Sequence, residues 1–288
     1  MTEPQGVVWV NGEVLPAGQA SVSALDRGLL YGDGVFETIR VYGGVPFRLA
    51  AHLARLAEGL RVLQINLPGA SEDLGRALVE ALRASGLRDA YARLTVTRGV
   101  GGAPSELAGA GEPTVLVHVR PFVGYPADLY ERGMGACVSA VRRNETSPLS
   151  RIKSLNYLDC LLVRASADAA SRGCDEAVML NTRGELAEGT ASNLFVVRGG
   201  QVLTPPVAAG CLPGIARAVV MELAPVYEAT LALTDLSAAD EAFLTNSLME
   251  VMPLVRVDEH PVGSGLPGPV ARRLLAAYRA TVAAECEL

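Results

Sequence analysis

Lys153 is the residue from which a chemical interpretation of this sequence starts. The chain contains 25 lysine and arginine residues, and Lys153 is the only lysine among them. An arginine keeps its charge at ordinary pH, whereas a desolvated lysine can lose its proton and attack a carbonyl carbon. The sequence therefore offers Lys153 as a candidate Schiff-base lysine. The competing interpretation is an ordinary surface lysine.

The rest of the composition argues against several other functions. The net charge is −6, with acids and arginines interspersed, which favours neither nucleic acid nor an anionic membrane as a partner. The five cysteines lack CxxC spacing and the three histidines lack ligand spacing, so we expect no disulfide framework and no metal site. No apolar run has the length of a membrane span, and the first residues do not resemble a signal peptide. We expect a soluble, cytoplasmic protein.

Hydrophobic periodicity predicts the elements that must position the lysine. Helices and strands mix without a regular βαβ series, which favours an α/β protein of two α+β-like lobes. We expect an N-terminal domain over 1–122, a linker over 123–132 and a C-terminal domain over 133–288. Strands are predicted at 35–42, 91–99, 114–122, 136–142 and 176–180, with hairpins at 7–15 and 193–203 and a segment that runs from strand into turn at 241–253. Helices are predicted at 49–65, 71–86, 157–171 and 267–285, and another beginning at 212 with Pro213 in its first turn.

A Schiff-base lysine can act on a carbonyl substrate directly or can hold pyridoxal phosphate. The second case needs three further groups. The phosphate needs a cation and backbone N–H groups at the start of a helix. The ring nitrogen needs a partner that keeps it protonated, and the phenolic oxygen needs a hydrogen-bond donor.

Several motifs in this order resemble one family. They are Ile-Lys-Ser-Leu-Asn-Tyr-Leu at 152–158, Gly-Glu-Leu-Ala-Glu-Gly-Thr-Ala-Ser-Asn-Leu-Phe at 184–195 and Leu-Pro-Gly-Ile-Ala-Arg at 212–217, preceded by Tyr-Gly-Asp-Gly-Val-Phe-Glu-Thr-Ile-Arg at 31–40 and His-Leu-Ala-Arg-Leu at 52–56. They resemble the fold-type IV (class IV) pyridoxal-phosphate enzymes, which include branched-chain aminotransferases, D-amino acid aminotransferases and aminodeoxychorismate lyases. The resemblance covers almost the whole chain. It implies a small N-terminal and a larger C-terminal domain, and a homodimer in which the Tyr31 region reaches the neighbouring active site.

The resemblance also implies roles around the cofactor ring. Lys153 would hold the cofactor covalently and move the α-proton of the substrate. Glu188 would pair with the ring nitrogen, Tyr157 would hydrogen-bond the phenolic oxygen, and Leu212 would pack on the ring face.

For the phosphate, the resemblance implies Arg55, the backbone N–H groups of Ile215 and Ala216, and the hydroxyl of Ser247. Related enzymes often have threonine at the position of Ala216. We therefore expect one hydroxyl contact to the phosphate to be missing in this chain.

The choice of reaction stays open between two classes. Tyr91 and Arg93 resemble the tyrosine and arginine that hold the substrate carboxylate in branched-chain aminotransferases, whereas Thr38 and Asn246 resemble the lyases. The arginine and histidine typical of D-amino acid enzymes do not occur soon after Gly99, so a D-amino acid or (R)-amine transaminase ranks lower. We favour an aminotransferase that moves an amino group between a branched-chain-like amino acid and a 2-keto acid such as 2-oxoglutarate or pyruvate. The alternative is an aminodeoxychorismate lyase, which releases 4-aminobenzoate and pyruvate. The residues expected to contact substrate are Tyr31, Phe36, Thr38, Arg40, Tyr91, Arg93, Arg98, Asn246 and Leu248.

Overall fold

The chain folds into two units, each built on its own sheet. A computed structural model describes residues 6–67, 71–103, 105, 111–168 and 173–288. Unit 1 consists of residues 1–123, 152–156 and 282–288, and unit 2 consists of 124–151 and 157–281. The chain passes from unit 1 to unit 2 after residue 123, within the predicted linker. The segments 152–156 and 282–288, which lie inside the range predicted for the C-terminal domain, are assigned to unit 1. Most of the predicted linker is also ordered structure, since a helix lies within it.

Unit 1 is an antiparallel sheet with two long helices. Its strands are β1 (Val7–Val10), β2 (Glu13–Pro16), β3 (Gly34–Tyr42), β4 (Val45–Pro46), β5 (Ala90–Thr97) and β6 (Thr114–Pro121). Its helices are α1 (Arg27–Tyr31), α2 (Leu49–Leu63) and α3 (Ser71–Ser85). The strand order is β2-β1-β6-β5-β3-β4. Helix α1 is not among the predicted helices. It is a single turn that Asp26 caps by accepting a hydrogen bond from the Gly28 N–H (2.7 Å), and periodicity does not detect so short an element.

The two faces of the unit 1 sheet differ in character. Along β5, buried Ala92, Leu94 and Val96 alternate with the half-buried side chains of Tyr91, Arg93 and Thr95. Successive side chains of a strand point to opposite faces, so one face packs into the apolar core and the other stays polar. The helices α2 and α3 supply the rest of that core. We call the opposite side the polar face of the unit 1 sheet.

Unit 2 contains a mixed sheet. Its strands are β7 (Met134–Val138), β8 (Glu176–Leu180), β9 (Leu186–Gly189), β10 (Asn193–Arg198), β11 (Gln201–Thr204), β12 (Val226–Glu228), β13 (Glu241–Asn246), β14 (Glu250–Val257) and β15 (His260–Pro261). Its helices are α4 (Ala127–Arg132), α5 (Leu158–Asp168), α6 (Ile215–Leu223), α7 (Leu233–Ser237) and α8 (Pro269–Glu285), whose last residues belong to unit 1. The order β10-β13-β14-β7-β8-β9 closes on itself, because Glu188 of β9 also pairs with Asn193 of β10.

Three predicted elements of unit 2 differ from the structure. The strand predicted at 136–142 is β7, which ends at Val138. The helix predicted at 157–171 is α5; its positions beyond 168 lie outside the described residues. The helix predicted from Leu212 begins at Ile215, because Gly214 is the extended N-cap residue (φ −69°, ψ 142°) and Pro213 precedes it.

Within the described residues, no helix combines the length and apolar character needed to span a membrane.

Candidate active site

Lys153 lies in the short segment 152–156 that belongs to unit 1. The backbone of this segment pairs with the start of β3, where the Phe36 N–H donates to the Lys153 carbonyl and the Leu155 N–H donates to the Gly34 carbonyl, both at 2.9 Å. Gly34 permits this approach, since a Cβ atom there would lie 2.8 Å from Leu155 Cδ1. The Lys153 Nζ atom lies 4.4 Å from the ring centroid of Phe36. The predicted amine therefore meets a predicted substrate-contact residue.

Five of the predicted substrate-contact residues come together on the polar face. Thr38 is paired in register with Arg93, and Arg40 with Tyr91, so these side chains and that of Phe36 share one face. The Arg93 guanidinium carbon lies 3.7 Å from the Phe36 ring centroid. The ring of Phe36 thus contacts both the Arg93 guanidinium and the Lys153 amine. A group that binds carboxylate and a group that attacks carbonyl carbon meet at this ring.

Arg40 is on the same face, but its guanidinium group is already held by other residues of unit 1. Its guanidinium lies over the rings of Tyr42 (4.4 Å) and Phe122 (3.9 Å) and pairs with Asp89 at 2.9 Å. These contacts hold Arg40 in a structural position. They do not favour the predicted contact with substrate.

Arg98 and Tyr31 belong to a different part of unit 1. Arg98 is buried, and its guanidinium donates to Asp33 and to the carbonyl groups of Leu63 and Gln64 at the end of α2. Asp33 also pairs with Arg27 (2.9 Å), and the two arginines outweigh the effect of burial and lower the pKa of Asp33. Arg98 is therefore committed to holding this loop, which does not favour its predicted substrate role. Tyr31 ends α1 and is exposed, as a residue that reaches another subunit would be.

The predicted phosphate ligand Arg55 is held by a buried carboxylate that the sequence did not single out. Glu37 accepts two hydrogen bonds from Arg55, at 2.8 and 2.6 Å, and a third contact from His52 Nδ1 at 2.6 Å. Burial raises the pKa of Glu37, but Arg55 and His52 outweigh it and lower the pKa to about 2. Burial lowers the pKa of His52, so the imidazole is neutral and Nδ1–H donates. A signal for this cluster was present: Glu37 has the core-facing parity of β3, and His52 and Arg55 are three residues apart on one helical face.

In unit 2, Glu188 lies near the end of β9 and is held on both oxygens. Its Oε1 pairs with an Arg143 nitrogen at 3.0 Å, and its Oε2 accepts from the Leu212 N–H at 2.9 Å. Arg143 also donates to the Gly210 carbonyl (3.3 Å). These two contacts fix the position of the carboxylate, which a partner of a protonated ring nitrogen needs. Arg143 was missed by the sequence interpretation, because nothing marks it among the many arginines.

Tyr157 directly precedes α5. Its hydroxyl donates to the Thr190 carbonyl at 2.5 Å, in the loop that follows β9. Burial, together with Cys160 and Glu188, raises the pKa of Tyr157 well above its ordinary value, so the phenol stays protonated. Glu176, which is fully buried, accepts hydrogen bonds from the Thr190 hydroxyl and from Ser192 (3.2 Å) and fixes the loop. Tyr157 is thereby a positioned, protonated phenol whose hydroxyl proton is directed at Thr190.

The segment before α6 and the turn between β13 and β14 carry the remaining predicted residues. No side chain caps α6, and Ile215 and Ala216 form its first turn. In the turn, the Asn246 side-chain Oδ1 accepts from the backbone N–H groups of Leu248 and Met249, both at 2.8 Å, and Asn246 Nδ2 donates to the Ala191 carbonyl (3.0 Å). Asn246 therefore builds the turn that presents Ser247 and Leu248, both half-buried.

The chain belongs to the class IV aminotransferase family: the family model described as amino-transferase class IV matches residues 34–257. A branched-chain-amino-acid aminotransferase of Pseudomonas aeruginosa is 33% identical over 305 residues, which cover all of this chain and 96% of that protein.

Solved structures agree in fold. A branched-chain amino acid aminotransferase from T.th., solved with pyridoxamine 5'-phosphate, has a TM-score of 0.92 at 32% identity, covering 99% of this chain and 98% of that one. The 4-amino-4-deoxychorismate lyase of Pseudomonas aeruginosa has a TM-score of 0.84 at 32% identity, covering 98% of this chain and all of that one. The predicted family and the predicted mixed α/β, fold-type IV architecture are confirmed.

Proposed function

We propose that the protein is a pyridoxal-phosphate-dependent aminotransferase that moves the amino group of a branched-chain-like L-amino acid to a 2-keto acid. The observation that carries the proposal is the meeting of the Lys153 amine and the Arg93 guanidinium at the ring of Phe36. An α-amino acid presents a carboxylate next to its reacting carbon, and this pair of groups matches that chemistry. The similar aminotransferases support the choice of substrate.

The donor set fits the cofactor. The uncapped start of α6 leaves backbone N–H groups and the positive end of the helix dipole for a phosphate. Glu188 is a fixed carboxylate of the kind that binds a pyridinium nitrogen, and Tyr157 is a protonated phenol. We assign Lys153, Glu188, Tyr157 and Leu212 to the ring. Arg55, Ile215, Ala216 and Ser247 are assigned to the phosphate.

When bound, pyridoxal phosphate supplies a carbonyl carbon for the amino group and an electron sink for negative charge at the substrate Cα. The protein does the rest. Arg93 and Tyr91 bind the substrate carboxylate and thereby orient the Cα–H bond. Lys153 Nζ would take the proton from the substrate Cα and deliver it to the carbon that was the carbonyl carbon of the cofactor. Glu188 keeps a proton on the ring nitrogen, and Phe36 excludes water on the polar face.

The test is a spectral titration of the yellow enzyme with L-leucine, L-glutamate, D-alanine, (R)-phenylethylamine and aminodeoxychorismate. We expect the pyridoxal form to convert to the pyridoxamine form with L-leucine and L-glutamate. The proposal fails if no amino donor gives that conversion while 4-aminobenzoate is released from aminodeoxychorismate.

The lyase remains a second candidate, favoured by Thr38. Its side chain is half-buried on the polar face, opposite Arg93, where a hydroxyl can relay a proton. Thr38→Gly should leave amino transfer from L-leucine largely intact. If the enzyme is instead a lyase, the change should reduce 4-aminobenzoate release by ~10²–10⁴-fold.

The protein further acts as a homodimer in the cytoplasm. Two exposed apolar patches support a second copy as partner: Leu25, Leu29 and Leu30 around α1 in unit 1, and Leu158, Leu161 and Leu162 on one face of α5 in unit 2. Monomeric proteins seldom leave such patches in water. None of the five cysteines forms a disulfide, which fits a reducing compartment. Light scattering of the protein as it elutes from a size-exclusion column should give twice the mass of the chain. Leu161→Glu should lower this measured mass.

A further inference from the structure

Arg143 lies between β7 and the segment that carries Lys153, and its backbone is anchored at the end of β8. Its N–H donates to the Leu180 carbonyl at 2.9 Å, and the residue forms an isolated bridge with Asn181. The side chain is 18% exposed and extends to β9, the strand that pairs with β8, where it meets Glu188. The pairing with β8 thus places the guanidinium beside this carboxylate.

The guanidinium contacts three segments of unit 2. It donates to the Ser150 carbonyl at 3.2 Å and to the Gly210 carbonyl at 3.3 Å, and one of its nitrogens lies 3.0 Å from Glu188 Oε1. The bonds to the carbonyl groups connect backbone segments, which is a structural role. The ion pair needs a different reason, because a cation bound to Glu188 weakens the attraction of this carboxylate for a protonated ring nitrogen.

Glu188 and the ring nitrogen that it is assigned to bind share one proton at neutral pH. When the proton lies on the nitrogen, a carboxylate faces a charged ring; when it lies on Glu188, both groups are neutral. Burial favours the neutral arrangement, since it disfavours charged groups, and the Glu188 side chain is 9% exposed. The protonated ring is the stronger electron sink, so the position of this proton matters for the chemistry that the cofactor supplies.

Arg143 favours the charged arrangement. Its guanidinium is in direct contact with the carboxylate, whereas a ring nitrogen bonded to the same carboxylate is farther from the guanidinium. The Coulomb energy falls with distance, so the arginine stabilises the carboxylate by more than it destabilises the charged ring. The Leu212 N–H acts in the same direction, because it donates to Oε2 at 2.9 Å. Burial raises the pKa of Tyr157 and raises that of Cys211 to about 12, so these neighbouring groups carry no charge.

We propose that Arg143 is a positioning residue that keeps the shared proton on the ring nitrogen of the cofactor by holding Glu188 in its ionised form. The inference rests on the proposed function, because it presumes that pyridoxal phosphate is bound with its ring nitrogen at Glu188. Arg143 acts through the carboxylate and not on the substrate. The charge of Arg143, more than its hydrogen bonds to carbonyl groups, should therefore determine the effect of a substitution.

The experiment separates the charge of Arg143 from its hydrogen bonds. Arg143→Lys keeps a cation, whereas Arg143→Gln keeps an amide donor for the carbonyl groups without the charge. Arg198→Met is the control, because it also removes a cation from unit 2. Arg198 pairs with Asp235 at the end of β10, whereas Glu188 pairs with Asn193 at the start of that strand.

The first measurement is the nitrogen-15 resonance of the full-length enzyme loaded with pyridoxal phosphate that is labelled at the ring nitrogen. At neutral pH, wild type, Arg143→Lys and Arg198→Met should show a protonated ring. In Arg143→Gln the ratio of the charged to the neutral arrangement should fall about 10- to 100-fold, the effect of one hydrogen bond to a charged group. The resonance should therefore move toward that of a neutral pyridine.

The second measurement is the carbon-13 titration of the Glu188 carboxyl group in the cofactor-free protein, where the signal is assigned by its absence from Glu188→Gln. Arg143→Gln should raise the proton affinity of Glu188 about 10- to 100-fold, and Arg143→Lys should keep it within about threefold of wild type. If wild type binds no pyridoxal phosphate, the proposed function itself is wrong, and this titration still measures the action of Arg143 on Glu188.

Three results would overturn the inference. Arg143→Gln leaves the nitrogen resonance where wild type has it, Arg143→Gln leaves the titration of Glu188 unchanged, or Arg143→Lys behaves like Arg143→Gln. The last result would show that the charge is not the cause. Arg143→Met, which also lacks the charge, is measured instead if Arg143→Gln does not fold.

Discussion

Replacing Glu37 by glutamine tests the buried cluster that holds Arg55. In the native protein the pKa of Glu37 is lowered from 4.5 to about 2, with Arg55 and His52 outweighing the opposing effect of burial. Glutamine resembles the neutral acid, so the substitution removes the stabilisation of the ionised form. A shift of this size corresponds to about 3 kcal/mol of unfolding free energy at pH 7. The loss falls mainly on the pair with Arg55, which would be left without its carboxylate partner.

The contribution of Glu37 to the unfolding free energy should decrease as the pH falls. Because the pKa of Glu37 is depressed, its contribution is complete above about pH 4.5 and is lost as the pH falls through 2. The difference between Glu37→Gln and wild type should therefore shrink to about half at pH 3. The pKa of His52 is also lowered, so its contribution in wild type declines below pH 6.5.

Urea unfolding followed by the fluorescence of Trp9 is the assay. Trp9 is the only tryptophan and lies in β1, so it reports on unit 1. Glu58→Gln on α2 is the matched control. Glu58 is exposed, so the loss of its ion pair with Arg61 should leave the urea midpoint of unfolding unchanged. A loss of less than about 1 kcal/mol for Glu37→Gln, or an equal loss at pH 3 and pH 7, would refute the reasoning.

Three further predictions concern the proposed chemistry. Lys153→Arg keeps a positive charge but has no primary amine, so borohydride reduction should attach no cofactor, whereas wild type should yield one labelled peptide containing Lys153; label at the N-terminus instead would contradict this. Glu188→Gln should fold and bind cofactor yet remove the α-proton ~10²–10³-fold more slowly. Stopped-flow measurements with ordinary L-leucine and with L-leucine deuterated at Cα give this rate. Rates equal to those of wild type with both substrates would exclude Glu188 from the mechanism. Arg93→Ala should raise the KM for 2-oxoglutarate about 10- to 100-fold, with a smaller effect on kcat; a KM within twofold of wild type would remove Arg93 from carboxylate binding.

Long periodic elements could be predicted from the sequence, and short ones could not. Helices α2 and α3 and strands β3, β5 and β6 match their predicted ranges to within about two residues, because each carries a full apolar face. Helix α1 and strand β9 were missed. Each has five residues or fewer, and each depends on partners that come from elsewhere in the chain.

The candidate site shows the same limit. The segment 152–156 has no periodicity, so its pairing with the start of β3, which fixes the backbone of Lys153, was not predictable. Glu188 was found through the family motif, but its partner Arg143 was not. A motif records residue types along the chain, whereas the Arg143–Glu188 pair depends on how unit 2 folds.

The arginines illustrate why the structure was needed to sort the predicted substrate contacts. With Lys153 the only lysine, nearly every cation in the chain is an arginine, and residue type cannot separate binding from structural roles. The partners separate them. Arg40 and Arg98 each pair with an aspartate, so part of their charge is already balanced within unit 1. Arg93 is held by the face of the Phe36 ring, and no carboxylate among the described residues forms an ion pair with it. A stacked guanidinium keeps its in-plane N–H donors for a carboxylate. For that reason we place the substrate carboxylate at Arg93 and regard Arg40 and Arg98 as residues that hold the fold.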